Sequence, residues 1–283
     1  MRFNPLNLRP LRTGLLVVAA LAATGWALDP LEQPAWAAVR AREPALKLGT
    51  LQAALGQGVT VGLLGGFRAL AADFLWVKGE VLWEDHDAPA TQSCLKLVTT
   101  IDPRPLYFWI NSSKMVAYDM PDWRIRAEGG YEVVPKRRQQ AIVLEQATVG
   151  LEILQEALTY HPNSWFLYET MANIHWQQTK DFAAAAVLYK LAAEQPGEGG
   201  WAGRQHARML QNIGRYQEAY DWLLQRYAKL PKPPGTPGSK EPATNQPLTV
   251  QQTTDAGEAT EMLEWIRKLE HTLNLPAERA YQP

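Results

Sequence analysis

The chain has 283 residues, 46% of them hydrophobic and 20% charged, enough to bury a substantial core in one or two domains and too apolar to be disordered throughout. Its net charge is -1 with a pI near 6.5, and no basic stripe dominates, which argues against nucleic acid as a partner. A single cysteine, Cys94, excludes an intramolecular disulfide, so stability must come from packing.

At the N-terminus, Arg2, Arg9 and Arg12 precede an uncharged run from Thr13 to Leu28, the pattern of an export signal. The run lies in length between the apolar region of a signal peptide and a minimal membrane-spanning helix. Gly25 with Ala27, or Ala35 with Ala37, would suit a signal peptidase, whereas Trp26 and Trp36 read as interfacial anchors. An uncleaved signal-anchor over 1-28 is the preferred reading; a cleaved signal peptide with a secreted or periplasmic chain is the alternative. In both, the arginines stay cytoplasmic and the remainder crosses the membrane. Pro30, Pro34 and Pro44 mark residues 29-48 as a spacer. Leu51 to Asp73 then carries Gly56, Gly58, Gly62, Gly65 and Gly66. Without a following Lys-Ser or Lys-Thr, and with no strand before it, this stretch is read as close helix packing or a hinge and not as a phosphate loop.

Beyond Gly66 the pattern is helical. Pro162, Pro196 and Pro231 fall 34 and 35 residues apart, and each closes a helix carrying small and aromatic residues at matching offsets. Tyr168, Met171, Ala172 and His175 run large, large, small, large, and Ala185, Tyr189 and Ala192 continue on the next helix. Two helices can cross closely only over small side chains, so Gly150, Ala172, Ala185 and Ala207 are expected at crossings. Gly214-Arg215-Tyr216-Gln217-Glu218-Ala219 resembles the turn and aromatic that open the second helix of a tetratricopeptide repeat, and the spacing of the prolines is that repeat's period.

Four helix pairs follow: 66-84 with 88-101, 104-118 with 142-160, 164-179 with 182-195, and 201-213 with 216-230. No pair buries its apolar face alone, so the pairs must stack. Pro103 to Pro162 spans 59 residues, well beyond one period, which predicts an insertion at 121-140. Gly65 to Trp76 resembles a block at the front of uncharacterised, membrane-anchored bacterial tetratricopeptide-repeat proteins, where it leads into degenerate repeats ending in Asp-Pro, as Asp102-Pro103 does here. The resemblance covers about residues 50 to 230 and implies an all-α superhelical array in 49-230 without implying any chemistry. Residues 231-254 hold six prolines and read as a linker. Asp255 with Glu258 looks like a capping box, and Ala259, Met262, Leu263, Ile266, Leu269 and Leu273 recur at helical spacing, predicting a helix over 255-275 that covers the last repeat.

Chemistry is sparse. Glu84-Asp85-His86-Asp87 clusters ligand types at a helix end, where neighbours in sequence rarely converge on one ion, and the five histidines show no metal spacing. No serine sits in Gly-x-Ser-x-Gly. No catalytic residue, metal or cofactor is assigned, and an enzyme is not expected. Cys94 reads as a small core residue, and the eleven tryptophans as fillers between helices.

Surface geometry says more. Asp73, Glu80 and Glu84 fall within about 40° on one helix and form an acidic stripe. First helices of tetratricopeptide pairs line a groove, which puts Phe166, Glu169, Asn173, Trp176 and Gln177 there with Arg204 and Arg208 from the next pair. Such a groove would hold an extended or helical peptide, the two arginines receiving a carboxylate. The insertion, with Trp123, Arg124, Arg126, Lys136, Arg137 and Arg138, would present a basic aromatic loop to anionic lipid or an acidic partner, or be plain solvated charge. The expected function is a membrane-anchored scaffold binding another envelope protein through the groove during assembly of a bacterial envelope complex. A subunit of a surface-polymer or pilus export machine is the alternative, with an exported small-molecule-binding or catalytic domain behind it.

Overall fold

Every regular element among the described residues is helical. The computed structural model describes residues 67-231, Ser239 and 249-282; the signal-anchor, the spacer, the glycine-rich stretch to Gly66 and most of the linker lie outside them. Arg68–Pro283 forms one unit by its contacts.

Helix α1 (Arg68–Glu84) and α2 (Ala88–Ile101) form the first hairpin. The Asp87 carboxylate accepts from the Ala90 N–H at 3.1 Å and Pro89 occupies the first turn, which fixes where α2 starts. The hairpin closes tightly: a β-carbon at Gly79 would lie 3.6 Å from the Cys94 sulfur. Cys94 is buried with its thiol on the Leu75 carbonyl at 3.1 Å, and burial pushes the thiol pKa up. Arg68 lies 3.8 Å from the buried Asp102 carboxylate, so the start of α1 is tied to the Asp-Pro that follows α2.

The second hairpin joins α3 (Leu106–Lys114), a π turn (Met115–Asp119) and α4 (Met120–Ala127) to the 25-residue α5 (Lys136–Tyr160). The residues expected as an insertion mostly lengthen these two helices. Gly129 and Gly130, at φ 114° and 87°, make the turn between them, and the Gln139 amide holds it by donating to the Tyr131 and Val134 carbonyls at 2.8 and 2.7 Å. Ile125, Val134 and Ile142 give the extension a small core of its own. Below it α5 crosses α3 closely: a β-carbon at Gly150 would lie 2.9 Å from that of Ala117 and 3.0 Å from the Ser113 carbonyl. Any larger residue would force the helices apart.

Helix α6 (Trp165–Ile174) with a second π turn (His175–Thr179) pairs with α7 (Phe182–Ala193), which Asp181 caps through the Ala184 N–H at 2.9 Å. Helices α8 (Trp201–Asn212) and α9 (Tyr216–Lys229) follow. Gly214, at φ 78°, ends α8, and the Arg215 N–H returns to the Leu210 carbonyl at 2.8 Å, a closure that wants glycine at the left-handed position. Ala172, Ala185 and Ala207 are fully buried.

The last helix, α10 (Val250–Thr272), packs on α9. It starts at Val250, so the expected start at Asp255 lies inside it. Ala259, Met262, Ile266 and Leu269 are buried in one core with Tyr220, Leu223 and Tyr227. At roughly 1.5–3 kcal/mol for each fully buried large apolar side chain, that face alone accounts for the docking of α10. A second core gathers Trp109, Leu154, Leu167 and Ile174. Each hairpin packs chiefly on the next, which fits an α-solenoid in general terms. No helix among the described residues is long and apolar enough to cross a membrane.

Candidate partner-binding groove

Helices α3 and α6 each widen by one residue at their C-terminal ends. The Met120 N–H reaches back to the Met115 carbonyl, and that of Lys180 to the His175 carbonyl, five residues away instead of four. Such π turns rotate the side chains beyond them and concentrate at functional sites. Both border one open cleft of about 530 Å³. Lys114, Tyr118 and Asp119 line it from the first turn, and Trp176 and Gln177 from the second. Glu169, Thr170 and Asn173 of α6 lie between, and Trp201, 37% exposed at the start of α8, completes the wall.

Glu169, Asn173, Trp176 and Gln177, four of the residues assigned to a groove by sequence, thus line one cleft. Phe166, one turn before Glu169, has the Lys114 ammonium 5.6 Å from its ring centre, and the Arg208 guanidinium stands 4.9 Å from the Trp176 ring centre. Arg204 is different. Its side chain is 13% exposed and meets Glu258 at 3.4 Å and Glu261 at 3.6 Å, so α10 takes the cation that was expected to receive a partner's carboxylate. Lys114, Tyr118, Asp119, Thr170 and Trp201 escaped the sequence reading. For Tyr118 and Asp119 the reason is the π turn, which has no periodicity of its own, so a helical wheel drawn through Leu106 to Ala127 is displaced there by about 100°.

Among the described residues, neither acid of the cleft, Glu169 or Asp119, makes an ion pair. Burial raises the Glu169 pKa, with the Glu198 carboxylate adding to the effect, while Lys114 and the Asn173 amide oppose it. Asn173 spends its oxygen on the Tyr189 hydroxyl at 2.7 Å, and Asp119 accepts from the Trp83 indole at 3.0 Å. Burial also pushes the Tyr118 hydroxyl up to about 12. Among the described residues Glu169 forms no ion pair.

A second cleft, of about 760 Å³, lies among α7, α8 and α9, and several of its charges are paired. Arg226 meets Glu198 at 3.3 Å and Lys190 meets Glu194 at 4.0 Å; Arg215 pairs with Glu218 beside it. Lys190 and Arg226 also stand 5.9 and 5.8 Å from the Trp222 ring centre. His206 bonds the Ala186 carbonyl through Nδ1 at 2.7 Å, and burial lowers its pKa.

Three of the five cations of the expected basic loop are paired within the chain, while Lys136 and Arg137 are exposed. Arg124 pairs with Glu145 at 2.7 Å, Arg126 with Asp122 at 2.7 Å, and Arg138 with Glu128 and Glu145 at 2.7 and 3.2 Å. The Arg124 hydrogen bond holds the Glu145 carboxyl below the usual range. Trp123 is buried against Trp83 and His86. In Glu84-Asp85-His86-Asp87, Asp87 is the cap of α2, and among the described residues no three His, Cys, Asp or Glu side chains gather as metal ligands. The acidic stripe of α1 is exposed, and beside it runs an apolar line that the sequence reading passed over: Leu70, Phe74, Val77 and Val81 are each more than half exposed.

No family model matches the chain, and a search of curated proteins finds no match.

Proposed function

We propose that the protein is a single-pass scaffold of the cytoplasmic membrane whose tetratricopeptide-like pairs stack into a superhelix and hold a segment of another envelope protein in the cleft between α3 and α6. One observation carries the reading: the first helices of two successive hairpins interrupt their regular hydrogen bonding at the same open cleft, and their π turns supply part of its aromatic and polar walls. An open trough with three aromatic side chains suits a peptide, whereas a small-molecule site wants an enclosed pocket with convergent polar groups. Thr13 to Leu28, behind Arg2, Arg9 and Arg12, serves as the anchor, with the N-terminus inside and the repeats on the outer side.

Photo-crosslinking residues placed at Gln177 and at Trp201 of the full chain in its own membranes test the groove. Both positions should capture the same protein, and Trp176→Ala should abolish capture. A capture pattern identical to that from Glu152, exposed on α5, would overturn the proposal. Fractionation with N-terminal sequencing tests the anchor: a soluble chain beginning near Leu28 or Ala38 would remove it.

A further inference from the structure

Among the described residues, the three acidic side chains most withdrawn from water each have a cation. Glu198, with a side chain 2% exposed, meets Arg226 at 3.3 Å. Asp102, also 2% exposed, binds Arg104 through both oxygens at 2.7 and 2.9 Å. Glu270, 8% exposed, meets Arg267 at 2.8 Å. Glu169, half-buried, makes no ion pair among the described residues, and neither does the half-buried Asp119 in the same cleft. The cations nearest to Glu169 are engaged on aromatic rings, Lys114 on Phe166 and Arg208 on Trp176. Tyr118, Trp176 and Trp201 share the cleft with it, and aromatic faces attract cations more strongly as water is removed.

Resting on the groove reading above, we infer that the segment held in this cleft presents a cationic side chain, a lysine or an arginine, that lies against the Glu169 carboxylate beside the Trp176 and Trp201 indoles. An apolar side chain seated there would strip more water from a carboxylate that has no ion-pair partner among the described residues and only the field of Lys114, which costs free energy without return. A carboxylate would meet Glu169 and Asp119 and, behind them, the field of Glu198. A cation gains from both the acid and the rings, and it removes the condition that burial has imposed on Glu169. Arginine fits best, since its flat guanidinium stacks on an indole while one edge remains free for the acid.

The test uses the full chain in detergent micelles, its tryptophans replaced by 5-fluorotryptophan, with Trp176→Phe and Trp201→Phe assigning the two resonances. Three blocked pentapeptides, Gly-Gly-X-Gly-Gly with X arginine, citrulline or glutamate, are titrated in. The arginine peptide should move both resonances at a concentration at least about tenfold lower than citrulline, and the glutamate peptide should move neither. Glu169→Gln should erase the preference for arginine over citrulline while helicity stays as in the parent. Should that variant misfold, the parent answers alone, because raising salt from about 0.05 to about 0.5 M must shrink the arginine preference. Equal binding of citrulline, a preference that survives Glu169→Gln, or resonances that none of the peptides moves would overturn the inference. The groove itself is judged separately, by capture from Gln177 and Trp201.

Discussion

At the α7–α9 end, Arg226 and Glu198 close on each other, Arg204 closes on Glu258 and Glu261, and α10 covers the apolar face of α9 with Met262, Ile266 and Leu269. At the α3–α6 cleft the same ingredients are present, tryptophans, lysine, arginine and acids, yet among the described residues Glu169 and Asp119 make no ion pair and Lys114 and Arg208 stand over rings. The larger of the two clefts is therefore the poorer candidate for a partner. A surface most of whose charges are paired inside the chain offers less electrostatic gain to an incoming segment, and a partner would have to break those pairs first.

The contrast breaks first at Arg226. Arg226→Met removes the cation from a carboxylate that is almost wholly buried, along with a bond to the Ala193 carbonyl at 3.1 Å and the contact with Trp222. The loss should be about 3 kcal/mol by urea unfolding, the low end for a broken buried pair because Arg226 itself is partly exposed. Adding Glu198→Gln should return much of it. A single variant within about 1 kcal/mol of the parent would mean that this end is not sealed by its ion pair.

Next in size come the crossings. Ala172→Leu under the open cleft and Ala207→Leu at the sealed end each overpack a fully buried site, and each should cost roughly 1–3 kcal/mol in thermal or urea unfolding. Comparable losses would show that the two ends differ in charge satisfaction and not in packing quality; an unchanged Ala172→Leu would make the cleft region loosely packed as well.

Smaller still is Arg204→Gln, which should cost about 1 kcal/mol, since Glu261 is half exposed and its pair is screened. The readout is local: amide exchange in α10 should quicken while that in α6 stays as it was.

The helices were legible because their causes are local. Asp87 and Asp181 cap, Gly214 closes a helix in the left-handed region, and small residues at Gly150, Ala172 and Ala207 stand where chains approach. The site was legible only by half. Glu169, Asn173, Trp176 and Gln177 precede or coincide with the second π turn and kept their predicted face, whereas Tyr118 and Asp119 sit inside the first and were rotated out of register by it. Arg204 was misread for another reason. Its exposure depends on a helix about fifty residues later, and nothing in the run of α8 announces that Glu258 and Glu261 will arrive opposite it. Pairing between distant elements, and the charge it consumes, is what one-dimensional spacing does not carry.

The smallest effect is also the most diagnostic. Because burial raises the Glu169 pKa above its ordinary 4.5, the folded chain holds that proton more tightly than the unfolded one, and folding loses stability as pH rises from about 4.5 through the raised value. Glu169→Gln carries no proton to lose. Its stability relative to the parent should therefore climb over that interval and level off above it, ending within about 0.5 kcal/mol in the variant's favour, since a half-exposed group is well screened. His206 moves the parent and the variant alike: burial depresses its pKa below 6.5, so both lose stability as pH falls below that value. The difference between the two melting curves, taken from pH 4 to 8, cancels the histidine and isolates the acid. A difference that falls with rising pH would mean that Glu169 already has a stabilising partner inside the chain. The α3–α6 cleft would then be as self-sufficient as the α7–α9 end.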